Sequence, residues 1–587
     1  MAFRKCVPVN GADGEREDSK RKKTVTSTIR YGKQPTKSRQ ARRIRCICGL
    51  MLAMWAIGAS AGEKKYISFG WEYKCLTPQA ILANADKFAS TGIDGIGIYL
   101  CATNSEGKEL KFISRGDKWE REAFLPQIPL LRKIMNTPHL SESFCVGYGS
   151  PVKRFSWTDD AAWENLANSM SVLGWLTRET GIKGISCDLE DYHHQWQYNR
   201  LDTDPPYDDL LPIVRKRGAQ VFGALFKENP NIKALFYWIL CFETEYLTSP
   251  DPVALARQNG DLAPAFFDGI LDVMPETARL INGDEHTYRA EAVKRDFHNS
   301  YVNQRMICPR LVSPGNRAKF MRLVQTSFAI YYDMYANDEK SFWYFPPIDG
   351  SRAEHLRRNL LDATRLADEY VWFWGEKHPT IHWENAHIEA RVRCPDTWEE
   401  AIPGITEAML CCKDSDWGLA RRISALRRDG KLIDRNANPE CRPGTVAGKL
   451  PPPYNFWKAQ KDKNGKVFLD ETTGHGDKTA ITLKDCSNAC ALYAQKNINP
   501  GEAYALELAV KGRGTVQVSF QKDGNWVRGM QGVSSVFGTA DAEGWRIARG
   551  MIVVPPNADC FVVKMSVDKL GGVSQAWFDD IHIYRLW

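Results

Sequence analysis

Residues Gly184-Ile185-Ser186-Cys187-Asp188-Leu189-Glu190-Asp191-Tyr192 run from an apolar stretch into carboxylates. In an extended chain, residues two apart share a face, so Asp188 and Glu190 are expected to project together while Cys187 turns away. Neighbouring carboxylates oppose each other's ionisation, which keeps a proton on one of them near neutral pH. A held proton is what general-acid catalysis at a departing oxygen requires, and hydrolysis of a glycosidic bond uses carboxyl groups in this way. The bland alternative is that the two acids cap a following helix or pair with Arg or Lys. Their shared face, and their place at the end of the fourth strand in the chain, weigh toward chemistry with Glu190 as acid and Asp188 assisting it. A partner carboxylate must come from another strand end. Glu243 ranks first because it directly follows the aromatic run LFYWIL; Glu245, Asp272, Glu276 and Asp333 remain open. Rival chemistries lack their motifs: the GxSxG pattern occurs only as Gly58-Ala59-Ser60-Ala61-Gly62 at the end of the apolar leader run, not on a strand-to-helix turn, and there is no HExxH or CxxC for zinc. His193 and His194 have no further spaced ligands and read as polar surface, so catalysis is expected to need no cofactor.

Positioning such a pair calls for a rigid scaffold. From residue 65 to about 430, short apolar runs alternate with helical stretches. Nine strand candidates are ISFGW (67–71), DGIGIYL (94–100), FCVGYG (144–149), KGISCDLE (183–190), IKALFYWIL (232–240), GILDVM (269–274), RMICPRLV (305–312), FAIYYDM (328–334) and EYVWFWG (369–375). Helix patterns fall at 77–91, 119–136, 159–180, 207–228, 286–303 and 351–368. Strand–helix alternation demands a parallel sheet. A (β/α)8 TIM barrel needs eight strands, so one of the last four candidates is expected to be an insertion or a loop. An open doubly wound sheet is the alternative, but its phosphate-binding turn, GxGxxG or GxxxxGKS/T, is missing. The barrel is preferred, and it places Asp188 and Glu190 at a C-terminal strand end, where barrels carry their catalytic groups. Rings crowd the same ends: Trp71, Tyr192, Trp196, Tyr246, Tyr332, Trp372 and Trp374. Core packing accounts for some of them, and a cleft lined for sugar rings accounts better for their concentration there.

Beyond the barrel, residues 396–430 read as a helical extension, and 435–455, with five prolines, as a linker. From about 455 the pattern changes to period two. AYALELAV (503–510), TVQVSF (515–520), WRIARGMIVV (545–554), CFVVKMSV (560–567) and AWFDDIHIYRL (576–586) are separated by Gly, Pro, Asn and Asp, which predicts an antiparallel β-sandwich. Trp545 and Trp577 lie beside alternating hydrophobics and are expected in its core, whereas Trp526 and Tyr493 are candidates for stacking on a sugar.

Charge and leader bound the setting. The net charge of +7 comes from residues 1–62, which hold 14 Lys/Arg against 4 Asp/Glu; the rest of the chain is at −3. A basic body that grips nucleic acid is not what this sequence describes. RQARRIR (39–45), the apolar run CICGLMLAMWAIG (46–58) and Ala59-Ser60-Ala61 together read as a secretory signal peptide over 1–61. Thirteen apolar residues are too few to cross roughly 30 Å of hydrocarbon, so no membrane span is expected after cleavage, and a secreted or periplasmic location is. Of 16 Cys, 13 follow Ala61, an odd number that cannot all pair within one chain. Cys145, Cys187, Cys241 and Cys308 fit buried thiols; Cys486 and Cys490 could pair in an oxidising compartment.

Two resemblances add to this reading. Asp188-Leu189-Glu190 is similar to the end of the D-x-x-D-x-D-x-E strand of family 18 glycoside hydrolases, the chitinases and related endo-N-acetylglucosaminidases; the family's two earlier aspartates fall on Ser186 and Lys183. The resemblance implies Glu190 as general acid and Asp188 as the group orienting an acetamido substituent. It also implies Tyr332-Asp333 as the later Tyr-Asp pair and Trp372 or Trp374 as the floor tryptophan. The C-terminal segments PGEAYALELAVKG, GTVQVSF, GWRIARGMIVVPPNA and AWFDDIHIYRL resemble jelly-roll carbohydrate-binding modules, which implies sugar binding and a structural Ca²⁺ held by Asp579 or, as the favoured ligand, Asp580. The expected organisation is a leader (1–61), a barrel with helical extension (62–434), a linker (435–455) and a β-sandwich (456–587). Its expected partner is a poly- or oligosaccharide, cleaved by carboxylate acid/base catalysis with Trp71, Tyr192, Tyr332, Asp333, Trp372 and Trp374 binding substrate. The rival is a secreted or surface protein that binds glycan on an inactive barrel; a deacetylase or lyase is a further alternative.

Overall fold

Apolar runs covered on both faces form the strands of the first sheet. The computed structural model describes residues 64–587 except 241–244, 414–416, 432–436, 439–448, 461, 528–535 and 568–573. The expected leader, Glu243, Cys241 and most of the expected linker lie outside the described residues. Nine parallel strands make one curled sheet: β1 Lys65–Gly70, β2 Gly95–Tyr99, β3 Phe144–Gly149, β4 Gly184–Asp188, β5 Lys233–Phe236, β6 Arg279–Asn282, β7 Val324–Thr326, β8 Ala329–Tyr331 and β9 Tyr370–Gly375. The ladder runs β8-β9-β1-β2-β3-β4-β5-β6-β7. No ladder joins β7 to β8. They are consecutive pieces of one segment, split at Ser327-Phe328, whose backbone bonds Asn282 on one side (2.9 Å) and Trp372 on the other (3.1 Å).

Helices cover the outside of this sheet. α1 (Asp160–Thr180) starts at Asp159, whose side chain accepts the Ala162 N–H, and stops at Gly181, which takes a left-handed φ of 80°. α2 (Tyr207–Glu228) and α3 (Ala263–Val273) approach closely, because a Cβ on Gly218 would sit 2.1 Å from the Phe266 carbonyl oxygen. This contact explains one correction. GILDVM, expected as a strand, is the end of α3. A helix wedged among neighbours is apolar nearly all round and reads as an apolar run. RMICPRLV is likewise helical, and the strands that take these places are β6 and β7. α4 (Arg352–Leu366), with Ser351 as its cap, leads into β9. The extension holds α5 (Ile405–Cys412) and α6 (Trp417–Arg428).

The remaining strands are antiparallel. A five-stranded sheet, in spatial order, contains β10 (Asn455–Lys458), β13 (Ala489–Lys496), β19 (Cys560–Val567), β15 (Gly514–Lys522) and β16 (Asn525–Trp526). A six-stranded sheet contains β11 (Lys466–Asp470), β12 (Ala480–Cys486), β20 (Ser574–Arg585), β14 (Ala503–Gly512), β18 (Trp545–Val553) and β17 (Val536–Phe537). Both contribute to one apolar core, with Leu483, Leu506 and Phe578 from one sheet and Tyr493, Val518 and Phe561 from the other. Trp545, expected in that core, is buried in a separate cluster with Ala480 and Ala509. The other side of the six-stranded sheet is covered by α6: Ile423 and Leu426 pack on Ala505 and Tyr584, and Arg427 donates to the Tyr584 hydroxyl at 2.9 Å and pairs with Glu507. Trp587 lies against Gly404, where a Cβ would meet its ring at 2.5 Å. Cys145, Cys187 and Cys308 are buried as expected. Cys486 is not in a disulfide; its thiol lies against the carbonyls of Lys466 and Lys484. No helix among the described residues is long and apolar enough to cross a membrane.

Candidate active site

β4 ends at Asp188, and the chain turns there because the Asp188 carboxylate accepts the Glu190 N–H at 2.9 Å. Glu190 therefore lies past the strand, not on it. The two carboxylates still face a common group: the Tyr192 hydroxyl donates to Asp188 at 2.8 Å and also reaches Glu190. Both acids are half-buried. Burial and the neighbouring Glu190 charge raise the Asp188 pKa, and burial raises that of Glu190. Cys187 is wholly buried on the opposite side, as strand alternation predicts.

A third carboxylate joins them. Glu285 follows β6 by three residues, and its N–H donates to the Tyr237 carbonyl at 2.8 Å. One of its carboxylate oxygens is buried without a hydrogen-bond partner. Burial, then the charges of Asp188 and Glu190, raise its pKa well above the ordinary carboxylate value. Glu285 is the residue that sequence reasoning missed. Its signal is faint: the apolar pair Leu280-Ile281 in the short strand RLIN, followed by Gly283-Asp284-Glu285, so that carboxylates again follow a strand as they do at Asp188. Glu243, the expected partner, lies outside the described residues, so its place is not compared with that of Glu285.

Rings line the three acids. Tyr237 stacks on Trp372 with centroids 4.5 Å apart, and the Trp372 indole N–H donates to the Gly283 carbonyl at 2.9 Å. Tyr288 lies 5.1 Å from Tyr331. Of the rings expected to bind substrate, Tyr192 is half-exposed above Asp188, and Trp374 is partly buried with its N–H on Glu376 at 3.1 Å. Trp71 begins the turn after β1. Trp372 is wholly buried beneath Tyr237, so it supports the site and does not line it. Tyr332 is a correction. β8 ends at Tyr331, and Tyr332 turns outward, stacked on Phe373 at 5.0 Å with its hydroxyl toward the Met409 sulfur. Tyr246 is buried with its hydroxyl on Asp261 and does not line the acids.

Asp333 is wholly buried; one oxygen accepts the Glu376 N–H at 2.9 Å and the other has no partner. Burial pushes its pKa up to about 7 from an ordinary 3.8. A carboxyl whose pKa is higher folded than unfolded adds stability below its unfolded pKa and loses it as pH climbs to its folded pKa. Through this group the unfolding temperature is expected to fall between pH 4 and pH 7. Asp333→Asn should flatten that slope and raise the unfolding temperature at pH 8 by several degrees in a thermal melt. A variant no more stable than wild type at pH 8 would exclude an uncompensated carboxyl here.

The metal expectation at Asp580 is not met by the residues present. Its carboxylate is 2.6 Å from the His475 imidazole, and the buried Asp579 accepts the N–H groups of His475 and Asp580. An imidazole already paired to the expected ligand does not suit Ca²⁺, which favours a shell of oxygens. Among the described residues, no group of three or more His, Cys, Asp or Glu side chains is arranged to hold a metal ion.

No family model matches the chain, and no curated protein matches it. Solved structures match in part. The enzymatically active domain of bacteriophage CBA120 tailspike protein 4 is 14% identical over 22% of this chain and 19% of its own, with a TM-score of 0.19. TmCBM61, solved with β-1,4-galactotriose, is 15% identical over 26% of this chain and 98% of its own, with a TM-score of 0.19. The MgGH51 α-L-arabinofuranosidase is 10% identical over 22% and 23%, with a TM-score of 0.17. The chain spans about a fifth of the tailspike domain's length. Likeness of this size fixes neither fold nor activity.

Proposed function

We propose that this chain is an exported glycoside hydrolase: a (β/α)8 barrel over 62–434, a linker over 435–455 and a glycan-binding β-sandwich over 456–587. The barrel reading is supported by the segment 324–331, which bonds to β6 on one side and β9 on the other and so serves as a single seventh strand of eight. The catalytic reading rests on one observation, the convergence of Asp188, Glu190 and Glu285 at the C-terminal ends of β4 and β6 with raised pKa values. Such acids can hold a proton for a leaving oxygen while an ionised neighbour attacks, activates water or steadies positive charge at the sugar. Glu190, half-buried beside Tyr192, is the acid that substrate can reach; Asp188, fixed by two hydrogen bonds, tunes it, and Glu285 is the second carboxyl group. The test is product analysis of the chain on a panel of polysaccharides, with Asp188→Asn, Glu190→Gln and Glu285→Gln compared with wild type. New reducing ends that vanish in Glu190→Gln support the reading; equal release by the variant ends it.

A specific observation also supports glycan capture by the sandwich. Trp457 and Trp526, 50% and 48% exposed, stand on opposite edge strands of the five-stranded sheet. Trp457 faces Cys490, which is followed across the sheet by Ser566 and Thr515; Trp526 faces Gln521 and lies 4.3 Å from the Lys564 ammonium. This outer face carries a ring at either edge and polar groups between, a form that suits a sugar chain. Ring stacking is worth about 1 kcal/mol, so each Trp→Ala change is expected to weaken polysaccharide retention by roughly five- to tenfold in affinity electrophoresis. Unchanged mobility in both variants would remove this face from the reading.

A further inference from the structure

Two guanidinium groups past the C-terminal ends of strands of the parallel sheet lie over aromatic rings. Arg289, four residues past Glu285, lies over the rings of Phe342 (3.5 Å) and Trp343 (4.2 Å). Arg391 lies over Trp71 at 4.9 Å. Both arginines are exposed, and among the described residues neither forms an ion pair, whereas Arg215 and Arg257 elsewhere on the fold hold Asp272 and Asp208. Arg289 donates a long hydrogen bond, 3.4 Å from Nη2 to the Phe342 carbonyl. Arg289 borders a cavity of about 260 Å³ together with Asp284 and Asp296, but these acids are turned elsewhere. Asp284 is bonded to Ser300 and faces His286, and Asp296 accepts the Glu291 N–H at 3.0 Å.

The two groups belong to neighbouring stretches of one rim. Arg289 follows β6, its rings follow β8, Arg391 follows β9 and Trp71 follows β1; in the curled sheet β8, β9 and β1 are adjacent, and β8 continues the segment that pairs with β6. Phe342 is 74% exposed and has the Arg289 guanidinium over its face. A ring beneath a guanidinium holds the plane flat and leaves its N–H edge free, a fork that fits two oxygens of a carboxylate or sulfate. General attraction would not bring a polyanion here, because the chain beyond residue 62 carries a balance of −3 and the floor is itself acidic. A local fork is what such a ligand would need.

We propose that Arg289 and Arg391, each laid on a ring past a strand end of the parallel sheet, bind the anionic substituents, carboxylate or sulfate, of an acidic glycan substrate. This rests on the glycoside-hydrolase reading. The probe is the full chain carrying Glu190→Gln, Trp457→Ala and Trp526→Ala, which removes turnover and the sheet-face contribution. It is applied to an array of neutral glycans (xylan, galactan), uronic-acid glycans (polygalacturonate, alginate) and sulfated glycans (chondroitin sulfate, carrageenan). Binding to acidic members is expected, with the uronate and sulfate arms separating the two sources. Adding Arg289→Ala and Arg391→Ala should weaken that binding by about tenfold or more, and Arg→Lys at both positions should restore only part of it, since charge returns without the fork. Binding to neutral glycans alone, binding to none, or acidic binding that survives both Arg→Ala changes overturns the proposal. Its failure is separable from that of the hydrolase reading, which is judged by turnover in the Glu190→Gln single variant.

Discussion

Glu190→Gln is expected to lower turnover by about 10²–10⁴-fold, the usual worth of a positioned proton donor, while leaving the unfolding temperature nearly unchanged. The amide keeps the size of the carboxyl group and can still meet the Tyr192 hydroxyl, but it has no acidic proton to give. The change has a second, less obvious effect. The Glu190 charge is one of the causes that raise the pKa values of Asp188 and Glu285. Removing it lets both ionise at lower pH, so the residual pH–rate profile should move toward acid. Glu285→Gln is expected to differ in stability: it removes a buried carboxyl group whose pKa is raised on folding and whose ionisation therefore destabilises the fold, so its melting temperature should gain most at alkaline pH. Steady-state rates from pH 4 to pH 9 on the cleaved polysaccharide read both effects. Turnover within threefold of wild type in Glu190→Gln, with the profile unmoved, would exclude Glu190 as the acid.

Much of the scaffold was legible because period and caps agree. The stretches 159–180 and 207–228 carry helical spacing and become α1 and α2; the runs at 144–149 and 369–375 become β3 and β9. The Asp188–Glu190 pair was visible because the run before it is long enough to mark a strand end. Glu285 was not, because β6 has only four residues and follows a helix whose apolar residues mimic a strand. Tyr332 was misplaced by parity: β8 stops at Tyr331, so alternation ends one residue early and the Tyr331 side chain, not its neighbour, reaches the acids near Glu376. In the C-terminal part, five strands were legible from alternating hydrophobics. β10 to β13 were not, since β10 is exposed along most of its length and β12 turns charged before its end. Residues that depend on contacts made across the fold, such as the ring under a guanidinium, leave no local mark in a sequence at all.

Trp372→Ala is expected to cost about 3–5 kcal/mol in denaturant unfolding, the range for emptying a buried aromatic site. The indole is wholly buried, stacks on Tyr237, meets Phe69 edge-on at 5.9 Å and donates to the Gly283 carbonyl. Those contacts reach the chemistry through the backbone. Gly283 is two residues before Glu285, and the Glu285 N–H rests on the carbonyl of Tyr237, the ring stacked on Trp372. A Cβ at Gly283 would lie 2.6 Å from the indole nitrogen, so the glycine is needed for this approach. Trp372 is therefore a positioning residue for Glu285, with no contact of its own to substrate. Trp372→Phe separates packing from placement: it keeps most of the apolar volume but loses the hydrogen bond, worth about 1 kcal/mol. Its expected signature is a small loss of stability, a lowered kcat with KM little changed, and a displaced pH–rate profile as Glu285 shifts against Asp188 and Glu190. A Phe variant that loses stability yet keeps kcat and the pH profile of wild type would reduce Trp372 to packing and detach Glu285 from the support assigned to it here.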